Sequence, residues 1–70
     1  MAQVKVYYDK LGNTLTVWFD DPKKEYISEE TGEEIILMKD QAGRVIGFEK
    51  LNFTMAETEP LQVAFEAMAV

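Results

Sequence analysis

Apolar and polar residues alternate along Gln3 to Tyr8, where Val4, Val6 and Tyr8 are interleaved with Gln3, Lys5 and Tyr7. A period of two sends successive side chains to opposite faces of an extended backbone, so residues 3–8 read as a strand. Asp9-Lys10-Leu11-Gly12-Asn13 breaks the pattern, which resumes over 14–20 with Leu15, Val17 and Phe19 on one face and Thr16 and Trp18 on the other. The Asp9 carboxylate can accept from backbone amides two residues on, and Gly12 and Asn13 suit the positive φ of tight turns. A β-hairpin is therefore predicted.

The alternation stops between Asp20 and Glu34, where seven of fifteen positions are Asp or Glu and Pro22, Lys23, Lys24 and Gly32 are interspersed. This reads as a long acidic connection, with Tyr26-Ile27-Ser28 able to form a short edge strand that anchors it. Residues 34–39 form a third strand, apolar on both faces through Ile35, Ile36, Leu37 and Met38. A second Asp-x-x-Gly turn, Asp40 to Gly43, leads into a fourth strand over 44–53, the expected centre of the sheet. In the C-terminal segment 54–70, the stretch 60–69 fits two patterns. Leu61, Val63 and Phe65 alternate as in a strand, while Leu61, Ala64, Phe65 and Met68 share one helical face behind Pro60. The predicted class is mainly β, a small antiparallel sheet of two hairpins plus a C-terminal strand or short helix, and α+β if the tail is helical.

The length changes what this pattern implies. Seventy residues make one small domain, 1–70, which buries only about 60% of its unfolded surface, and small domains usually need a further source of stability. Disulfides are excluded by the absence of Cys, and there is no His for a zinc site. Apolar residues on both faces of the sheet, with only one short tail to cover them, predict self-association as a homodimer through sheet faces or edges, with Trp18 at the interface.

Charge narrows the partners. Thirteen acidic against seven basic residues leave a net charge of −6, which repels phosphate backbones and argues against autonomous nucleic-acid binding. The charged positions break up every run long enough to span a membrane, and the N-terminus lacks a signal-peptide apolar region, so a cytoplasmic protein is expected. Catalytic motifs are missing: no His, no Cys, no Gly-rich phosphate loop, and a single Ser, Ser28, inside the acidic connection. The reading is a non-enzyme without cofactor or metal. Asp20, Asp21, Glu29, Glu30, Glu33 and Glu34 are oxygen ligands in kind, but their spacing does not match a calcium loop, and they read as a solvated charge run. Glu49 is the one carboxylate inside the apolar fourth strand, where pairing across the sheet with Lys5 or Lys39 would explain it.

Val6-Tyr7-Tyr8-Asp9 followed by Leu15-Thr16-Val17, then Glu29-Glu30 with Ile35-Ile36-Leu37, and finally Asp40-x-x-Gly43-Arg44-Val45-Ile46-Gly47-x-Glu49-x-Leu51-Asn52, form a pattern. Over residues 4–53 it resembles the domain of unknown function 2283 family. Two features depart from that family: Asn13 stands where Asp is usual, and the connection 20–34 is long. The resemblance implies a small, mostly prokaryotic protein without an assigned activity. Some members lie beside small toxin-like partners, which implies an antitoxin-like role. Two hypotheses follow. The first is a protein-interaction module whose acidic segment and sheet edge engage a basic partner. The second is a binder of a small ligand or divalent cation at a subunit interface lined by Tyr7, Trp18 and Glu49.

Overall fold

The computed structural model describes residues 3–54 and 61–69. Five strands, β1 (Lys5–Asp9), β2 (Thr14–Trp18), β3 (Ile27–Glu30), β4 (Ile35–Lys39) and β5 (Val45–Lys50), form one antiparallel sheet in the order β1-β2-β5-β4-β3. The fold is mainly β, and β5 is its central strand, as the apolar run from Val45 predicts. Both expected hairpins are present. A third, β3–β4, is built from the acidic connection, so the fifth strand comes from Ile27–Glu30.

The tail is the correction. The described residues Leu61–Ala69 are neither strand nor helix, while Pro60 lies outside the described residues. Val63, Phe65 and Met68 are exposed. An alternating segment becomes a strand only where a sheet edge accepts its hydrogen bonds, and a helix of about ten residues is marginal without an apolar surface to pack on. Among the described residues this segment pairs with neither terminal strand, β1 or β3, and forms no helix on either face of the sheet.

The ends of the strands follow from local chemistry. In the first turn the Asp9 carboxylate accepts from the amides of Leu11 at 3.0 Å and Gly12 at 3.1 Å, while Asn13 takes the positive φ of 54°. In the second, Asp40 accepts from Ala42 at 3.0 Å and Arg44 at 2.9 Å, with Gly43 at φ 83°. The strands predicted over 34–39 and 44–53, observed as β4 and β5, are shorter where Glu34 and Asn52 adopt left-handed conformations, φ 62° and 54°, which an extended ladder does not admit. β1 and β2 also shift, to Lys5–Asp9 and Thr14–Trp18. After β2, Asp21 caps a single 3₁₀ turn, Pro22–Lys24, through the Lys23 amide at 2.9 Å.

Register sorts the side chains onto two faces. One face carries the row Val6, Val17, Phe48, Leu37, Glu29 and, beside it, Tyr8, Leu15, Lys50, Ile35. This is the Val17 face. The opposite, Glu49 face carries the rows Lys5, Trp18, Gly47, Met38, Ser28 and Tyr7, Thr16, Glu49, Ile36, Glu30. No second layer of strands or helices covers either face among the described residues. Hence only Met38 and Ile46, at 4% and 3% exposure, are buried hydrophobics there. Each contributes about 2 kcal/mol through its burial.

Gly47 holds the centre together by lacking a side chain. A Cβ there would lie 2.7 Å from the Val17 carbonyl oxygen and 2.8 Å from a ring carbon of Trp18, with the Met38 methyl at 3.3 Å. Trp18 and Met38 flank Gly47 in the register, and both reach over the space it leaves. Adding one methyl forces backbone and ring apart, and overpacking of this kind costs about 1–3 kcal/mol. The Gly47→Ala variant is therefore expected to be less stable by that amount, seen as a lower urea midpoint by far-UV circular dichroism; an unchanged midpoint would show that the Trp18 ring is not held there.

Candidate interaction surface

The functional residues expected from the sequence fall into two groups, Tyr7, Trp18 and Glu49 on one face and the acidic connection, of which Glu30 shares that face. Tyr7, Trp18 and Glu49 lie on three adjacent strands and on the same face, because Tyr7 pairs with Thr16, Thr16 with Glu49, and Trp18 with Gly47. Tyr7 is 54% exposed, whereas Trp18 and Glu49 are half-buried. Ile36 and Glu30 continue the Glu49 row to the outer edge.

The expected pairing of Glu49 with Lys5 or Lys39 is not made. Lys39 stands on the opposite face and binds Glu29 at 2.6 Å, while Lys5 lies in the neighbouring row beside Trp18. Thr16 instead donates its hydroxyl to Glu49 at 3.5 Å, a long bond. Among the described residues no cation is within ion-pair distance of Glu49, Glu30 or Glu33. The sequence could not show this, because a lysine's face depends on register rather than on its place in the chain.

The acidic connection divides by role. Asp20 accepts from the Asp21 amide at 2.7 Å and pairs with Lys24 at 3.3 Å; the amide first, then the ammonium, hold its carboxyl below the ordinary range. Asp21 is the cap described above, and Glu25 accepts from Ser28 at 2.7 Å. Glu34 is the most tightly held, accepting from the Asn52 amide at 2.9 Å and from Lys50 at 3.1 Å. These two donors, Asn52 first, lower its carboxyl below the ordinary value. The roles of Asn52 and Lys50 were not apparent beforehand; the Leu51-Asn52 ending of the family-like stretch was the one signal present.

Glu29, Glu30 and their neighbours therefore form an acidic edge along β3, whose outer side has no strand partner among the described residues. Among the described residues no three acidic side chains converge to hold a metal ion, and no helix there is long and apolar enough to cross a membrane. A depression of about 170 Å³ beside the edge is lined by Glu30, Gly32, Glu34, Ile35, Ile36 and Leu51. A broader one of about 480 Å³ lies between Lys23–Tyr26 and Asp40–Ala42. Neither is lined by Tyr7, Trp18 or Glu49.

The sequence model of a family described as a protein of unknown function (DUF2283) matches residues 5–53. No curated protein and no solved structure matches the chain. The matched span runs from β1 to the residue after Asn52, so it includes all five strands and the Glu34–Asn52 clasp.

The clasp has a pH signature. Because the Glu34 carboxyl is held below its ordinary value of 4.5, its charged form favours the folded state. That contribution is complete above the unfolded value and is lost as pH falls through the lower, folded value. The Glu34→Gln variant is expected to have a lower urea midpoint than the parent at pH 7 and to converge with it at acid pH. A gap independent of pH would rule out the charge as its source.

Proposed function

As the chain belongs to the DUF2283 family, whose description assigns no activity, we propose that it is a non-enzymatic protein-interaction module. It engages a basic protein through the acidic edge of the sheet and the adjoining Glu49 face. The observation that carries this reading is the distribution of charge. Seven acidic and two basic residues in 20–34 place a net −5 there, of the −6 on the whole chain. The fold gathers much of it on and beside the open strand β3, with Glu30 and Glu49 on one row of the same face.

Two features of that surface fit a basic partner. Glu30, Glu33 and Glu49 have no cation of their own among the described residues, so an incoming Lys or Arg meets carboxylates that are not already neutralised. The aromatic rings of Tyr7 and Trp18 stand on the same face as Glu49, and such rings accept the stems and planes of cationic side chains. An antitoxin-like role, in which the partner is a small basic toxin, is the specific case to which the family resemblance leads. The absence of His and Cys from the sequence leaves little of the usual equipment for acid–base or nucleophilic catalysis, and supports reading the chain as a non-enzyme.

A second reading, a small-ligand or divalent-cation binder between subunits, is favoured by the convergence of Tyr7, Trp18 and Glu49 on one face. It expects a rise in melting temperature with a ligand or divalent ion that is lost in Glu49→Gln; a flat thermal-shift screen removes it.

The interaction reading is tested by affinity purification from the native host at low salt. A basic protein should be retained, should dissociate as ionic strength rises, and should be weakened by Glu30→Gln with Glu33→Gln. Each exposed pair lost is expected to cost about 0.2–1 kcal/mol of affinity. Recovery of the chain alone, or retention indifferent to salt, would overturn it.

A further inference from the structure

The Val17 face is the part of the molecule that the acidic surface does not use. It presents Val6, Val17, Phe48 and Leu37 in one row and Tyr8, Leu15 and Ile35 in the next. Phe19 packs against Phe48 with ring centroids 6.0 Å apart, yet Phe19 remains 48% exposed and Val6 38%. We infer that this face is occupied by the same face of a second copy of the chain, forming a two-sheet dimer with the acidic edges and Glu49 faces outward.

Three observations select this occupant. The first is area. The chain exposes 5979 Å², whereas a folded monomer of its size exposes about 4,500 Å². Its radius of gyration, 13.6 Å, likewise exceeds the roughly 11 Å of a compact 70-residue chain. The excess of about 1,500 Å² belongs to the whole chain, and the exposed tail and the open sheet both add to it. A standard interface removes about 800 Å² from each partner, so pairing two copies through the open sheet would bring the exposure of each closer to that of a compact chain.

The second is charge. Lys39, Lys50 and Glu29 are the charged residues that the strand register places on this face. Each is already neutralised within the chain, Lys39 by Glu29 at 2.6 Å and Lys50 by Glu34 at 3.1 Å. A strongly charged partner finds no unpaired charge here, whereas an identical face brings matching apolar surface. Two such faces pack about 10 Å apart with interdigitated side chains.

The third is the edge. Joining two sheets through β3 would set Glu29 and Glu30 of one copy against those of the other, and like charges across a ladder repel. Face-to-face packing keeps these edges apart. It also leaves the surface proposed for a basic partner free in both copies.

Val6 and Tyr7 are neighbours on β1 but lie on opposite faces, and the chain contains no cysteine. The full-length variants Val6→Cys and Tyr7→Cys therefore place one thiol on each face. Their alkylation by N-ethylmaleimide is followed from dilute to concentrated protein, with far-UV circular dichroism confirming the fold. The wild-type mass is measured by sedimentation equilibrium over the same range. The proposal expects a mass of two chains and a Val6→Cys thiol that reacts about tenfold more slowly as the dimer fills, with the Tyr7→Cys rate unchanged. A wild-type monomer at all concentrations overturns it. So does protection of the Val6→Cys thiol under conditions where the protein sediments as a monomer, which would mean that the chain's own tail covers the face. Protection of the Tyr7→Cys thiol instead, or of both equally, would place the contact on the other face or along the β1 edge.

Discussion

Backbone pairing of β5 on both of its sides is the interaction on which the rest of the structure depends. β5 joins the β1–β2 hairpin to the β3–β4 hairpin, which are otherwise separate pieces of chain, and a two-stranded hairpin is marginal in water. The side chains beside this ladder make the joint specific. Gly47 allows the Trp18 ring and the Met38 methyl to close over it, and Ile46 is buried where the β4–β5 register shifts by one residue. The shift puts one extra residue of β5 against β4, as a β-bulge does. Beyond the strand, Asn52 turns the chain with a positive φ and reaches Glu34, which ends the β3–β4 hairpin in the same left-handed conformation. Both ends of the central pairing are thus closed by local geometry.

Among the described residues no second layer of strands or helices covers the sheet, and its two faces differ in their charges. The charged strand residues of the Val17 face are neutralised within the chain, while the Glu49 row carries carboxylates that have no cation among the described residues. This difference follows from register: Lys39 and Glu49 lie on neighbouring strands but on opposite sides of the sheet. Apolar surface whose charges are paired within the chain suits burial against its like, and unneutralised carboxylates beside aromatic rings suit cations. The two proposals therefore use different surfaces, and neither requires the other.

Much of the fold was legible because strand and turn signals are local. The two Asp-x-x-Gly turns bind their own amides as expected, and the position of β5 at the centre follows from its apolar character on both sides. The fifth strand was harder. Ile27–Glu30 is short and acidic, with weak strand propensity, and it is a strand because β4 offers an edge to it. The tail has the better alternation, but its described residues pair with neither terminal strand. Of the candidate surface, the acidic character of Asp20 to Glu34 could be read directly. Which carboxylates are neutralised depended on Lys24, Lys39, Lys50 and Asn52 arriving from elsewhere in the chain.

By itself the sequence determined the class, the hairpin turns, the family-like stretch from β1 to Asn52 and the sign of the charge, since each depends on residues within a few positions of one another. Only the tertiary structure decided that Glu49 has no lysine beside it, that Gly47 is a space for Trp18 and Met38, and that one face is apolar with its charges already paired. Those are contacts between residues distant in the chain, and strand order and register, not local propensity, bring them together.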